Sequence, residues 1–437
     1  MLKKLFGALA LTLFICNVPA VAQKSLVDDH IDSLAASTHV VNIDGGAKIQ
    51  ANEVRDRILT FYYDQFRNSQ DPAAPYFLFM SKEKDLLMGI GGKVAFRGWY
   101  DWGGAMPTTA FLPFTIPIPA NPTDMRHFDT TPAGTALFFR VLGHSDTFGE
   151  YQAYIEANFK GYESRGFHLK KAYVMWRDFT LGYAATTFSD EMAQVPMVDA
   201  GGPANKGDRT QVLFRYMPRV SKHVLVAASV ETPSVSMAVD GVHTAQCSNY
   251  LPDAAAFVQY DWGHQNSQHV RLSGIVRSLP YRNLVAGTNH TKAGWGVQRS
   301  SVSHPARPLT LYVNASYGAG YAGMGGDIAV GNYDLIADPE APGTMYAPRS
   351  MGWSLGLQYN LSHNLFVCLM GSQSRFLPSK GIDPREYKYG WLGAFTVYYN
   401  PIPRVTVGGE FDFGKRQNFS RQHRYARRIN LTASVSF

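Results

Sequence analysis

Apolar and polar residues alternate with a period of two through most of the chain, which predicts β-strands with one apolar and one polar face. The final stretch shows this most clearly, because Ile429, Leu431, Ala433, Val435 and Phe437 fall on one face with polar or charged residues between them. Turn clusters separate sixteen such segments. Alternating segments of this length, followed by a terminal aromatic residue, predict an all-β fold: a transmembrane antiparallel β-barrel of about sixteen strands.

The connections between the predicted strands also alternate, with short ones at one end of the barrel and longer ones at the other. Bacterial barrels have short periplasmic turns and long outer loops, so both ends of the barrel domain are expected in the periplasm. Sixteen strands predict an aqueous lumen, since eight strands would leave an interior filled by side chains. The predicted strands are 86–102, 135–143, 149–160, 166–176, 178–188, 209–218, 222–232, 253–262, 268–279, 291–300, 307–320, 349–360, 364–376, 387–399, 403–415 and 424–437.

The amino-terminal region divides into two predicted segments. Residues 1–22 have the features of a secretory signal peptide, with two lysines, an apolar stretch and Ala20-Val21-Ala22 before the cleavage site. Residues 23–85 are expected to form a periplasmic segment with one amphipathic helix at 52–67, and residues 86–437 to form the barrel. Plugging, trimerisation and tethering all remain open as roles for the periplasmic segment. The bacterial outer membrane is the expected location.

The composition agrees with a barrel, since 13% of the residues are aromatic and only 17% are charged. Soluble β-sandwiches share part of this profile, so the two termini carry more weight than the composition. Aromatic residues at predicted strand ends are expected to form the interfacial girdles of a membrane barrel. They are Trp99, Tyr100, Trp102, Tyr260, Trp262, Tyr398 and Tyr399.

If the apolar row of each strand faces lipid, several basic residues must face the lumen. A cation at the lipid midplane is costly, whereas a cation in the lumen is solvated. One of Lys170 and Lys171 must also face inward, although the pattern does not say which. Arginines that line a pore favour anions. The predicted pore-lining residues are Lys93, Arg97, Arg140, Arg215, Arg271, Arg277 and Arg428.

The net charge points weakly in the same direction. The full chain has 41 basic and 34 acidic residues, and loss of Lys3 and Lys4 with the signal peptide would leave a charge of +5. This excess fits an anion-preferring pore, barrel solubility or contact with anionic lipopolysaccharide.

The third outer loop, residues 189–208, carries four acids: Asp190, Glu191, Asp199 and Asp208. In porins with sixteen strands this loop folds inward and narrows the channel. Acids on the loop that face arginines on the wall would create a transverse field at the constriction. The alternative interpretation is an ordinary exposed acidic loop.

The residues around this loop resemble one family, the DcaP-like trimeric porins, over roughly residues 86–218. The resemblance implies a homotrimer of channels that admit small anionic solutes, dicarboxylates in particular. Members of that family can carry an amino-terminal coiled coil, but residues 24–85 show no sustained heptads. The motifs that carry the resemblance are Lys170-Lys171-Ala172-Tyr173, Leu181-Gly182, Thr187-Phe188-Ser189-Asp190, Pro196, Asp199, Gly202-Pro203, Arg209-Thr210-Gln211-Val212 and Arg215-Tyr216.

Two other classes compete with a pore: a non-conducting barrel that serves as an anchor or receptor, and an outer-membrane hydrolase. His144-Ser145-Asp146 has the residue types of a catalytic triad, but three consecutive positions cannot orient a base between a nucleophile and a carboxylate. No enzyme activity, cofactor, metal site or nucleic-acid partner is therefore predicted. Cys247 and Cys368 remain after signal cleavage and are expected to be two isolated thiols rather than a disulfide.

Overall fold

The computed structural model describes residues 35–45, 52–55 and 75–437, apart from 82, 84, 105, 107, 148, 161–165, 208 and 264–265. The predicted signal peptide lies outside the described residues, as does most of the helix predicted at 52–67. Residues 52–55 of that helix are described and are helical. Within the described ranges, no helix has both the length and the apolar character needed to cross a membrane.

Sixteen antiparallel strands form a closed barrel, which confirms the predicted fold class. Each strand pairs with the next along the chain, and the last strand pairs with the first from Arg427 opposite Trp102 to Ser436 opposite Lys93. The strands are β1 Leu86–Trp102, β2 Ala136–Ser145, β3 Gly149–Lys160, β4 Gly166–Trp176, β5 Phe179–Ala185, β6 Thr210–Tyr216, β7 Val224–Glu231, β8 Asp253–Trp262, β9 Gln268–Asn283, β10 Thr288–Ala306, β11 Leu309–Ala319, β12 Arg349–Asn360, β13 Leu365–Leu377, β14 Tyr387–Tyr399, β15 Val405–Asn418 and β16 His423–Ser436.

The hairpin of β9 and β10 extends further than the sequence predicted. The prediction ended β9 at Leu279, just before Pro280, a residue type that removes a hydrogen-bond donor from the strand ladder. Pro280 nevertheless stays in register opposite Thr291, and the pairing continues to Asn283 opposite Thr288. The predicted loop at 280–290 was therefore wrong, and the connection is only residues 284–287.

The outer surface of the barrel is apolar, as the alternation predicted. Val94, Leu272 and Leu431 are 60%, 63% and 63% exposed, whereas their neighbours in the strands turn to the interior. Trp99 and Tyr398 are corrections to the predicted girdle: Trp99 is only 2% exposed on the inner face of β1, and Tyr398 is half-buried in the inward phase of β14 that it shares with Thr396. The girdle assignment overlooked that Trp99 and Tyr100 must lie on opposite faces of one strand.

The described part of the amino-terminal segment attaches to the end of the barrel at which β1 begins. Strand His39–Asn42 pairs in parallel with strand Phe77–Ser81, and the latter pairs antiparallel with the start of β1. Arg404, in the turn before β15, donates hydrogen bonds to Ser37 Oγ at 2.8 Å and to Thr38 Oγ1 at 2.9 Å. The sequence analysis predicted only a helix in this segment and missed both strands.

Three outer loops pack inside the barrel, and their apolar residues form its interior core. We call them L1 (residues 103–135), L3 (186–209) and L6 (320–348). Phe111 and Ile116 of L1 and Val195 and Met197 of L3 are buried in one cluster with Met370 of β13. In a second cluster, buried apolar residues of L6 pack against residues of β13 and β14. The interior is therefore built by loops, while the strands form the wall around them.

Both cysteines of the described chain are free thiols: Cys247 is half-buried and Cys368 is buried on the inner face of β13.

Candidate functional site in the barrel interior

The six arginines predicted for the lumen lie on the inner face of the wall and are buried. On β6, for example, Arg215 is 1% exposed, while Val212 and Phe214 are 54% and 47% exposed. Lys93 lies on the same inner face of β1 as Arg97 and is half-buried. The arginines are Arg97, Arg140, Arg215, Arg271, Arg277 and Arg428.

L3 runs through the interior and contacts the wall at well-separated strands. The Asn205 side chain donates to Asn314 Oδ1 of β11 at 3.3 Å, and the Ala204 N–H donates to Ser372 Oγ of β13 at 2.9 Å. Nearly every described residue from 186 to 207 is buried. L3 therefore occupies the cross-section of the barrel, which is the inward path that the sequence analysis expected.

Asp199 of L3 lies between two wall arginines that belong to the first and last strands. Its Oδ2 atom is 3.1 Å from both Arg97 Nη1 of β1 and Arg428 Nη1 of β16. Its Oδ1 atom accepts hydrogen bonds from the N–H groups of Phe111 at 2.8 Å and Gly201 at 2.7 Å. Burial alone would raise the pKa of the Asp199 carboxyl, but the two arginines and these N–H groups hold it below its usual range.

Arg428 is also held by a second carboxylate. Asp101 of β1 binds it with two parallel hydrogen bonds, Nε to Oδ1 at 2.6 Å and Nη2 to Oδ2 at 2.9 Å. The Trp99 ring lies beside this pair, with its centroid 5.1 Å from Arg97 Cζ and 5.2 Å from Arg428 Cζ. Bidentate pairing with a stacked aromatic ring fixes the guanidinium of Arg428 in one orientation.

Asp190, near the start of L3, is held by the wall of β9 and β10. It accepts hydrogen bonds from His269 Nε2 at 2.8 Å and Ser300 Oγ at 2.5 Å, with Arg271 Nη1 at 3.8 Å. Burial would raise the pKa of Asp190, but Arg271 and His269 together outweigh burial and hold it well below its usual range. Arg271 also donates to the backbone carbonyl of Ser189 at 3.3 Å.

A β-bulge in β4 resolves the choice between Lys170 and Lys171. The register with β3 shifts at this point, so both lysines reach buried carboxylates. Lys170 Nζ is 2.8 Å from Glu156 Oε1, and Lys171 Nζ is 2.9 Å from Glu191 Oε2. The expectation that only one of them would turn inward assumed strict alternation, which a bulge interrupts.

Arg140 and Arg215 each donate to a neutral acceptor. Arg140 donates to Gln152 Oε1 at 2.8 Å, and Arg215 donates to the Ala185 carbonyl at 3.2 Å. Asp208 lies outside the described residues. Each of the other three loop acids therefore lies next to a wall cation rather than across a gap from one.

Several interior acids were missed because the prediction followed only basic residues. Glu410 of β15 accepts the N–H groups of Val198 at 2.8 Å and Asp199 at 2.7 Å, and so holds the L3 backbone. Asp334 of L6 pairs with Arg277 at 2.9 Å. The alternation that placed Arg428 inside also places Glu410 inside, so that residue was available to the same rule. For Asp334, a loop residue, the sequence offers no such signal.

L6 is linked to both other inward loops through Asp327. Its carboxylate accepts the Phe114 N–H of L1 at 2.6 Å and the Tyr387 hydroxyl at 2.7 Å, and its own N–H donates to the Ala204 carbonyl of L3 at 2.8 Å. Burial raises the pKa of Asp327 to about 6, against the weaker lowering effects of these bonds and of Arg416. The three loops therefore form one connected unit inside the barrel.

His144-Ser145-Asp146 lies at the periplasmic end of β2 and in the turn that follows it, away from the outer rim. Within the described chain, no group of three His, Cys, Asp or Glu residues is placed to hold a metal ion.

These features define a class: a closed sixteen-stranded barrel with an apolar outer face and a polar, loop-lined interior is an outer-membrane β-barrel of porin architecture. The bacterial outer membrane is its location. No family model and no curated protein sequence matches the chain.

Solved structures match the fold. The outer membrane channel DcaP of Acinetobacter baumannii is 17% identical with a TM-score of 0.69, and the match covers 82% of this chain and 99% of that one. The anion-selective porin from Comamonas acidovorans is 10% identical with a TM-score of 0.54, covering 80% and 100%. OmpT, an outer membrane protein of Vibrio cholerae, is 11% identical with a TM-score of 0.50, covering 82% and 99%. The resemblance to DcaP-like porins is thus confirmed at the level of the fold.

Proposed function

We propose that this protein is an outer-membrane porin, a water-filled channel through which small polar solutes diffuse and in which anions are preferred. The observation that supports it best is a sixteen-stranded wall whose inner face is charged and whose third outer loop narrows the interior. Barrels of this size are wide enough for an aqueous path, and such an inward loop sets its bore.

The anion preference is proposed from the way that charges are paired. Asp190, Glu191 and Asp199 each lie beside a wall cation, so the inward loop presents little free negative charge to a solute. Arg209 is a half-buried cation at the outer side of the interior, and it donates to the Gly323 carbonyl. A carbonyl dipole does not neutralise a guanidinium, so this position favours an entering anion.

Solute class and assembly are the finer parts of the proposal. The sequence resemblance to DcaP-like porins supports small anionic solutes, dicarboxylates in particular, and a homotrimer. The described neighbour from Comamonas acidovorans is named as an anion-selective porin, which agrees with the same preference.

Conductance across a planar bilayer tests the pore itself. Purified protein is expected to insert as discrete conductance steps, and steps in groups of three would support the trimer. If folded protein inserts without any steps, the pore is rejected and the non-conducting barrel, an anchor or receptor, replaces it. The packed cores of L1 and L6 inside the wall are the observation that favours that alternative.

The reversal potential under a salt gradient tests the selectivity. The wild type is expected to prefer chloride over potassium, and Arg215→Ala is expected to lower that preference, since it removes a positive charge from the inner wall. Arg282→Ala is the matched control, because Arg282 is exposed on the outer hairpin of β9 and β10. A cation-selective wild type, or an equal shift in both variants, would contradict the proposal.

A further inference from the structure

A row of cations lies on the lipid-facing side of the barrel at the extracellular ends of its last strands. Arg375 of β13, Lys415 of β15 and Arg427 of β16 all occupy outward positions, as the exposed neighbours Leu369, Phe411 and Ile429 in the same phase show. Arg126, in a short L1 strand beside β1, is a fourth member and is exposed. We call these four residues and the aromatic rings between them the cation–aromatic patch.

The aromatic rings of the patch lie between its cations. The Tyr389 ring centroid is 5.1 Å from Arg375 Cζ and 5.7 Å from Lys415 Nζ. Lys415 Nζ also lies 5.5 Å from the Tyr425 ring. The rings thus position Arg375 and Lys415 by cation–π contacts, which leave their N–H groups available for hydrogen bonds to an anion.

The other side of the patch has the same arrangement. Arg427 Cζ is 5.3 Å from the Phe413 ring, and Phe413 stacks on Tyr425 at 5.5 Å with an interplanar angle of 11°. Arg427 and Arg126 both stand opposite Trp102, one on each side of β1. The patch is therefore continuous from β13 across the barrel seam to L1.

The positive charge of the patch is not neutralised by the protein. In the described part of the chain, no Asp or Glu oxygen lies within 4 Å of the charged nitrogens of its four cations. The buried Nε of Arg375 has no hydrogen-bond partner. The outward residues of these strand ends are otherwise aromatic, aliphatic, glutamine or histidine.

The position of the patch relative to the apolar band indicates which kind of group would neutralise its charge. Arg427 is two residues from Ile429, which is 44% exposed in the apolar band, so the cations begin where the hydrocarbon ends. Aromatic residues mark the same interface in membrane barrels. At the extracellular end of an outer-membrane barrel, this is the level of the phosphate groups of lipopolysaccharide.

We propose that the cation–aromatic patch is a binding site for the lipid A phosphates of lipopolysaccharide. Arginine guanidinium groups bind phosphate oxygens with paired, charge-assisted hydrogen bonds, and Lys415 adds a point charge between them. The rings of Tyr389, Phe413 and Tyr425 pack against the adjoining sugar and acyl chains. The site lies outside the lumen, so it is independent of the proposed pore.

The test measures the thermal unfolding of full-length protein in detergent, with purified lipopolysaccharide, dephosphorylated lipopolysaccharide or phosphatidylglycerol added. Lipopolysaccharide is expected to raise the unfolding temperature of the wild type, and removal of its phosphates is expected to abolish most of that increase. The variant Arg375→Gln/Lys415→Gln/Arg427→Gln is expected to bind lipopolysaccharide about tenfold more weakly, because three charge-assisted contacts are lost. Its conductance should equal that of the wild type.

The matched control is Arg282→Gln/Lys292→Gln, which removes two positive charges from exposed positions on the outer hairpin of β9 and β10, strands that carry no patch residue. It is expected to bind lipopolysaccharide as the wild type does. Equal binding by the triple variant and this control, or equal stabilisation by dephosphorylated lipopolysaccharide, overturns the proposal. So does equal stabilisation by phosphatidylglycerol, or loss of oligomer with unchanged lipopolysaccharide binding, which would make the patch a subunit contact.

If the triple variant fails to fold, Arg375→Lys/Arg427→Lys replaces it. This variant keeps the charge but loses the paired geometry of the guanidinium group. It is expected to bind lipopolysaccharide more weakly than the wild type does, but more tightly than the wild type binds dephosphorylated lipopolysaccharide. Binding of lipopolysaccharide at wild-type affinity would contradict the guanidinium contacts.

Discussion

Two aspartates hold L3 to the wall in different ways, Asp190 near the start of the loop and Asp199 in its middle. Asp199 makes two ion pairs, at 3.1 Å, with arginines of β1 and β16. Asp190 is held mainly by hydrogen bonds from a histidine and a serine, while its arginine lies at 3.8 Å. The contact at Asp199 therefore depends on fixed charges, and the contact at Asp190 depends more on hydrogen bonds.

Arg428→Ala is expected to have the largest effect on this comparison. It leaves Asp101 buried without its bidentate partner and Asp199 with Arg97 alone, and removing one member of a buried pair costs about 3–5 kcal/mol. The part of L3 around Asp199 should loosen from the wall, so single-channel conductance should rise clearly above the wild-type value.

The control for Arg428→Ala is Arg427→Ala, the next residue in β16, whose side chain faces lipid. Its conductance should be unchanged. A conductance of Arg428→Ala within the wild-type range would show that Arg97 alone is enough to hold Asp199 and the loop around it.

The stability of L6 and the stability of L3 are expected to depend differently on pH. Because burial raises the pKa of Asp327 to about 6, folded protein holds a proton that the unfolded chain has released, and docking of L6 loses stability as pH rises through 6. The stability lost between about pH 4 and just above pH 6 amounts to roughly 3 kcal/mol at most. The pKa values of Asp190 and Asp199 are lowered, so their contribution persists until the pH falls well below 4.

Hydrogen exchange measures this difference. After correction for intrinsic rates, amides of residues 327–331 should be better protected at pH 5 than at pH 8, and amides of L3 should be equally protected at both. Asp327→Asn should remove the dependence in L6. The charged and titratable neighbours of Asp327 are Tyr387 and Arg416. The variant Arg416→Gln therefore tests how much of the pH dependence comes from Arg416.

Asp190→Asn is expected to have a smaller effect than Arg428→Ala. The amide keeps the shape of the carboxylate and can still bond to Ser300, so the loss is about 1–2 kcal/mol for the weakened bonds to His269 and Arg271. Conductance should rise less than in Arg428→Ala. An increase larger than that of Arg428→Ala would reverse the order of the two anchors.

Lys170→Gln is expected to have the smallest effect, about 0.5–1 kcal/mol in denaturant unfolding, because its side chain is partly exposed. Lys171→Gln should cost more, since Lys171 and Glu191 are both almost fully buried. Equal losses would indicate that the bulge does not distinguish the two lysines.

The outer face of this barrel could be predicted from the sequence because lipid imposes one rule on every strand. The same rule gave the inner position of Arg428, and it would have given those of Trp99 and Glu410 had it been applied to them. The partners inside follow no such rule. Asp199 and Arg428 are 229 residues apart in sequence, and a loop that bonds to distant strands leaves no periodic signal.

The sequence also did not predict the bulge in β4 or the continuation of β9 through Pro280. Each is an exception to a local strand rule, and pairing with the neighbouring strands maintains it. Asp327 and Asp334 lie in an irregular loop, where neither period nor motif marks an inward side chain.

Asp199 joins the two ends of the barrel sheet from inside. Its two arginines belong to β1 and β16, whose backbone pairing closes the wall. A side chain of L3 therefore adds ion pairs across the same junction that the backbone hydrogen bonds hold, so docking of L3 and closure of the barrel stabilise each other.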